Sequence, residues 1–233
     1  METEVKNMAY TRGDSKNIIV GAAAMFVSTG AEFDPDTVVF PDFVEDTSYL
    51  DTLTDSVEGQ ALVRNIGYTM NGLELQFQPD FGEVQVDQLL DVAKLYKQGM
   101  QVNLATAFAE ATLENLLVAI AAPTGDYDAS VTLDSPMDTG LVSQASTLEL
   151  TSGAIGECPV ERGLVAVGPG TGDCDPNEYI ERIYVAYRAL SIDNVTVSAK
   201  RDEPSMFEVS FRLLPANNGS YGKIVDRTVN SAT

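Results

Sequence analysis

The clearest hydrophobic patterns along this chain have period two. Leu73, Leu75 and Phe77 alternate with Glu74, Gln76 and Gln78, and Phe207, Val209, Phe211 and Leu213 alternate with polar residues as strictly. Such alternation marks strands with one buried and one solvated face. In 101–109, Val102, Leu104 and Phe108 share one face, and Gln101, Asn103, Ala105 and Ala107 share the other. The apolar run Ile18 to Ser28 predicts a first, buried strand. Further strands are expected at about 61–69, 73–78, 147–151, 163–168, 182–190, 195–200, 207–213 and 221–225. Asn71-Gly72, between two of them, is a hairpin-turn dipeptide.

Helical spacing occurs twice. Val86, Leu89, Leu90, Ala93 and Tyr96 recur at i, i+3, i+4, i+7 and i+10, with Asp87 early, Lys97 late and Gly99 as a stop signal. This predicts an amphipathic helix. A second helix is expected from Thr112, as N-cap, through Leu113, Leu116, Leu117 and Ile120. The expected fold is therefore mainly β, a sandwich or barrel with one or two flanking α-helices. The 233 residues suit a single domain, with a polar arm at 1–16 and a loop insertion at 123–145.

The segment 29–59 changes the picture. It holds Glu32, Asp34, Asp36, Asp42, Glu45, Asp46, Asp51, Asp55 and Glu58, with no Lys or Arg anywhere from Asn17 to Val63. It also carries Phe33, Phe40, Phe43, Tyr49, Leu50 and Leu53. Long loops inside compact domains are uncommon, and apolar residues in one must be covered. A neighbouring subunit is the expected cover, so Phe33, Phe40, Phe43, Asp46, Tyr49, Leu50 and Leu53 form a candidate inter-subunit contact.

Charge and composition exclude several classes. Lys+Arg 14 against Asp+Glu 35 give a net charge of −21, which repels nucleic acid and anionic membranes and leaves no basic stripe for sequence-specific binding. The chain has no histidine, which removes the commonest general base, the usual zinc sets and the Ser-His and Cys-His pairs. No run approaches the ~20 apolar residues of a membrane span. Lys6, Arg12 and Lys16 precede Ile18 to Val27, but Glu2, Glu4 and Asp14 interrupt a secretory signal. Synthesis in the cytoplasm is expected, with Cys158 and Cys174 as free thiols.

Short motifs resolve as bland. Gly168-Pro-Gly-Thr-Gly172 lacks the lysine and hydroxyl ending of a phosphate loop. Asp173, Asp175 and Asn177 have calcium-loop spacing, but Glu178 stands where that loop needs glycine and Tyr184 where it needs glutamate. Arg12-Gly13-Asp14 is a chance-level tripeptide, and the sequons at Asn194 and Asn218 matter only in a secretory compartment. No cofactor, metal or catalytic set is expected. A carboxylate-dependent hydrolase is the alternative from another class.

One resemblance sharpens these expectations. The run 67–90, Gly-Tyr-Thr-Met-Asn-Gly-Leu-Glu-Leu-Gln-Phe-Gln-Pro-Asp-Phe-Gly-Glu-Val-Gln-Val-Asp-Gln-Leu-Leu, resembles the tail tube (major tail) protein of long-tailed phages. So do 110–117, Leu164 to Gly170, Tyr184 to Ala189, and Phe207 to Pro215 with Ile224 to Asp226, in the family's order. The resemblance implies a tail-tube-like β subunit in the virion tail, building stacked, hexameric rings through which DNA is ejected without specific binding. The implied partners are further copies, a tape-measure protein in the lumen, and tail terminator and tail-tip proteins at the ends. A tube subunit of a contractile or secretion apparatus is the nearest alternative. Glu74, Gln76, Gln78, Gln101 and Asn103 are then candidate lumen-facing residues, and the resemblance implies that the loop 29–59 makes the inter-ring contact.

Overall fold

A computed structural model describes residues 17–28, 47–54, 63–89, 91–133, 143–152, 155–156, 158–171, 178–202 and 204–230. Its strands are β1 (Ala24–Ser28), β2 (Val63–Asn65), β3 (Thr69–Gln85), β4 (Val92–Phe108), β5 (Tyr127–Leu133), β6 (Ser143–Leu148), β7 (Arg162–Pro169), β8 (Glu178–Ser191), β9 (Phe207–Leu214) and β10 (Gly222–Asn230). Two short helices accompany them, α1 (Tyr49–Thr54) and α2 (Leu113–Ala119). The fold is mainly β, and its strand pairings are antiparallel. One 8-stranded sheet runs β2-β1-β7-β8-β9-β4-β3, with β10 also on β8, while β5 and β6 form a separate hairpin.

The sheet branches at β8. Its residues 178–186 pair with β10, and 188–191 pair with β9. At the fork the Tyr187 N–H donates to the Tyr221 carbonyl at 3.1 Å. β7 lies on the other side of β8 and is buried almost throughout, as a strand covered on both faces must be.

Two cores follow from that double cover. One packs Met25, Val27, Leu104, Phe108, Leu117, Leu164, Phe207 and Phe211 between the sheet and α2, and the other packs Phe26, Val165, Val167 and Ile183 beneath α1. Alternation sorts the residues, with Met25 and Val27 of β1 facing one core and Phe26 the other. The Phe108 and Phe211 rings sit 6.3 Å apart, tilted by 38°. Each buried Phe contributes about 2–3 kcal/mol of apolar transfer.

α2 forms where its cap predicts. Thr112 Oγ1 accepts from the Asn115 N–H at 3.2 Å. Asn115, itself buried, donates through Nδ2 to the Ile66 and Glu110 carbonyls, tying the helix to the corner after β2. At that corner Gly67 has φ +89°, and a Cβ there would meet the Glu110 carboxylate at 2.2 Å. Glu110 sits that close because it accepts from the Tyr68 N–H at 2.9 Å.

Several expectations are corrected. The helix expected from Val86 to Tyr96 is absent, and β3 and β4 instead run 17 residues each as one long hairpin. Val86, Leu89, Leu95 and Tyr96 are exposed, so among the described residues no core rewards a helix there. Pairing satisfies the backbone groups that the two strands turn toward each other and lays Tyr96 over Gly82, where a Cβ would meet the ring at 2.5 Å. The turn falls near Val86, whose carbonyl accepts from the Leu89 N–H at 3.1 Å. Asn71-Gly72 does adopt left-handed φ values of 66° and 73°. It makes a bulge within β3 rather than a hairpin, and the Gly72 carbonyl accepts from Thr106 Oγ1 at 2.9 Å.

The first strand begins at Ala24, leaving Ile18 and Val20 exposed. Residues 195–200 form no strand. The loop expected over 123–145 contains a 3-10 turn at Thr124–Asp126 and the β5–β6 hairpin.

Candidate assembly surface

The five candidate lumen residues come together. In the β3–β4 ladder Gln76 lies opposite Asn103 and Gln78 opposite Gln101, while Glu74 faces Ala105. Opposed residues of an antiparallel pair project from the same face, so all five share one side of the sheet. Gln101 Nε2 donates to Asn103 Oδ1 at 3.4 Å. The three β3 residues are exposed and the two on β4 are half-buried.

The ladder carries this face across β9, where Arg212 lies opposite Asn103, Ser210 opposite Ala105 and Glu208 opposite Ala107. Arg212 is an exposed cation on this strip that the sequence reading did not include. The reverse face holds Leu104, Val102, Phe211 and Leu213, all buried. Beside the strip, a groove of about 520 Å³ brings Glu74, Asp193 and Glu208 to one opening.

The second feature is the hairpin itself. β4 pairs with β9 only from Val102 onward, so among the described residues Val92 to Gln101 and their β3 partners continue without a third strand. At the usual strand rise that ribbon is about 30 Å long. It leaves Phe81 54%, Leu89 58% and Leu95 59% exposed, with Phe77, Val84, Val86 and Tyr96 also in solvent. β3 is the terminal strand of the sheet order, and its outer edge is unpaired among the described residues. Under the base of the hairpin, Leu75, Phe77, Met100, Leu213, Tyr221 and Ile224 line an apolar cleft of about 410 Å³. The Tyr221 hydroxyl donates to the Met100 carbonyl across it at 2.7 Å.

The acidic stretch behaves differently from expectation. Tyr49 and Leu53 are 1% and 2% exposed, and Leu50 packs against the same interior, all within the chain's own second core. Tyr49 and Leu53 are thus engaged inside the subunit rather than presented to a neighbour. The physical reason is Glu181, a fully buried carboxylate of β8. It accepts from the Tyr49 N–H at 2.9 and 3.1 Å and from Ser48 Oγ at 3.0 Å, capping α1. Phe33, Phe40, Phe43 and Asp46 lie outside the described residues, as do Cys174, Asp173, Asp175 and Asn177. Cys158 is an exposed free thiol.

Charged pairs elsewhere are structural. Arg182 and Asp226 clasp one another across β8 and β10, holding the Asp226 carboxyl below its usual range by hydrogen bonding. Arg188 binds Glu161 through Nε and Nη2 at 2.6 and 2.8 Å. Among the described residues, no group of three or more Cys, Asp or Glu could hold a metal ion, and no helix is long and apolar enough to cross a membrane.

A scan against protein-family models and a search of curated proteins find no match for this chain.

Proposed function

We propose that this chain is a structural, non-catalytic subunit that assembles with copies of itself into the tube of a phage tail, through which DNA leaves the virion. The observation that carries the reading is the unsupported β3–β4 ribbon with Phe81, Leu89 and Leu95 in solvent. A two-stranded ribbon is marginal in water on its own. A long strand edge with apolar flanks is a template for further pairing, and neighbouring copies in a ring would supply the third strand and the cover.

The polar strip fits the same role. Glutamines, an asparagine and two glutamates, with Arg212 as the single cation among the residues placed on it, offer a passing duplex little phosphate contact and little counterion release. DNA would slide along such a wall rather than bind it. On this reading the stacked rings are hexameric, a tape-measure protein fills the lumen, and terminator and tail-tip proteins close the ends. The high negative charge keeps free subunits apart until growth is nucleated.

Sedimentation velocity of the purified full chain over a concentration series tests the reading. Growth into species of many copies supports it, and a concentration-independent monomer refutes it.

A further inference from the structure

A second cavity brings buried charge together. Where β1 ends beside α2, a cavity of about 180 Å³ is lined by Ser28, Arg64, Glu114, Thr124, Tyr127 and Arg162, with Val27 and Leu117 behind them. Two of these are guanidiniums. Arg162 is 5% exposed, and its Nη2 donates to the Ala122 carbonyl at 2.9 Å. Its Nε is buried with no partner, and no carboxylate bonds it among the described residues. Arg64 donates through Nη1 to Asn115 Oδ1 at 2.9 Å and lies 3.6 Å from Glu114, while its own Nη2 is buried and unpartnered.

Glu114 is the one carboxylate lining the cavity, and it is shared with the Tyr127 hydroxyl, which donates to it at 3.3 Å; Glu110 also acts on Arg64 from outside the lining. Burial, reinforced by the nearby Arg64 charge, pulls the Arg162 guanidinium down to about 10. A buried, unpaired cation is strongly unfavourable, so such groups are ordinarily matched by an anion. Two guanidiniums on one cavity, one of them almost fully buried, suit a group with acceptor oxygens and a single negative charge. A carboxylate has that form, and guanidinium–carboxylate pairs are among the strongest hydrogen-bonded contacts.

We propose that the cavity between Arg64 and Arg162 is a carboxylate-binding site, filled by a small free acid or by an Asp or Glu side chain of a second copy. The site stands apart from the tube reading, because acetate would bind even in a chain that never assembles.

The test titrates sodium acetate into the full chain by calorimetry at constant ionic strength, with Arg162→Met alongside. Saturable binding in the parent chain that weakens at least about tenfold in Arg162→Met supports the free-acid source. If acetate gives no heat, self-association that is lost in Arg162→Met but kept in Arg182→Met supports the second copy. Equal acetate binding by both chains overturns the proposal. So does the absence of acetate binding together with self-association that is missing or unchanged in Arg162→Met. Should Arg162→Met fail to fold, Arg64→Gln, on the half-buried partner, is expected to shift the same readouts in the same direction.

Discussion

The backbone N–H of Tyr49 donates to the carboxylate of Glu181, a residue 132 positions away in sequence and fully buried. That bond anchors the first turn of α1 to the middle of the sheet. Arg227 Nε approaches the same carboxylate at 3.3 Å, so Glu181 joins α1, β8 and β10. Removing it takes a buried carboxylate acceptor from the start of α1 and the counter-charge from Arg227. Glu181→Ala is expected to lower unfolding stability by about 3–5 kcal/mol, measured by urea denaturation. A loss under about 1 kcal/mol would mean that the cap is not needed to hold α1.

Gly67 makes a separate point about stability. Its φ of +89° and the Glu110 carboxylate leave no room for a side chain. Gly67→Ala is expected to cost about 1–3 kcal/mol of folding stability. Trimming the acid as well, in Gly67→Ala with Glu110→Ala, should recover the steric part but not the backbone part.

The ribbon separates folding from assembly. Phe81 and Leu95 are more than half exposed within the subunit, so Phe81→Asp and Leu95→Asp should leave the unfolding stability within about 0.5 kcal/mol of the parent. Both should abolish self-association in sedimentation. Unchanged association by the double variant would remove the ribbon from the interface.

Charge on the polar strip addresses DNA passage. Glu74→Lys, alone and with Gln76→Lys, should still form tubes but slow DNA ejection, because each added cation creates a phosphate contact. Ejection at the parent rate from such tubes would take the strip out of the lumen.

The Arg182–Asp226 clasp gives a pH signature. Asp226 titrates below its usual range because Arg182 hydrogen-bonds its charged form. A depressed folded-state value adds stability above the unfolded carboxylate range and loses it as pH falls through the folded value, here below about pH 4. The carboxylate is 45% exposed, so the effect is expected to be under about 1 kcal/mol. Asp226→Asn should therefore lower the thermal midpoint slightly at neutral pH, with the difference shrinking in acid. A difference that grows in acid would contradict the assignment.

What could be read from sequence follows from how local each cause is. The alternation in 207–213 became β9 because every second residue meets one core. Thr112 announced α2 because its cap bond reaches only three residues ahead. The lumen candidates share a face because the register sets Gln76 opposite Asn103 and Gln78 opposite Gln101, and a slip of one residue would have parted the two sets. Val86 to Tyr96 was misread because its spacing fits a helix, while the strand pairing that prevails depends on a partner across the turn. Asn71-Gly72 signalled left-handed backbone, but Thr106 on the neighbouring strand decided that it became a bulge. Glu181, Arg64 and Arg162 carry no local signal, since their partners come from distant segments.

The central claim is that this chain builds a hollow tube. Negative-stain electron microscopy of the purified full chain, concentrated until it associates, tests it most directly. The account predicts rings or stacked tubes of uniform diameter with a central channel, lost in Phe81→Asp with Leu95→Asp. Monodisperse single subunits at every concentration, or irregular aggregates without a channel, would contradict it.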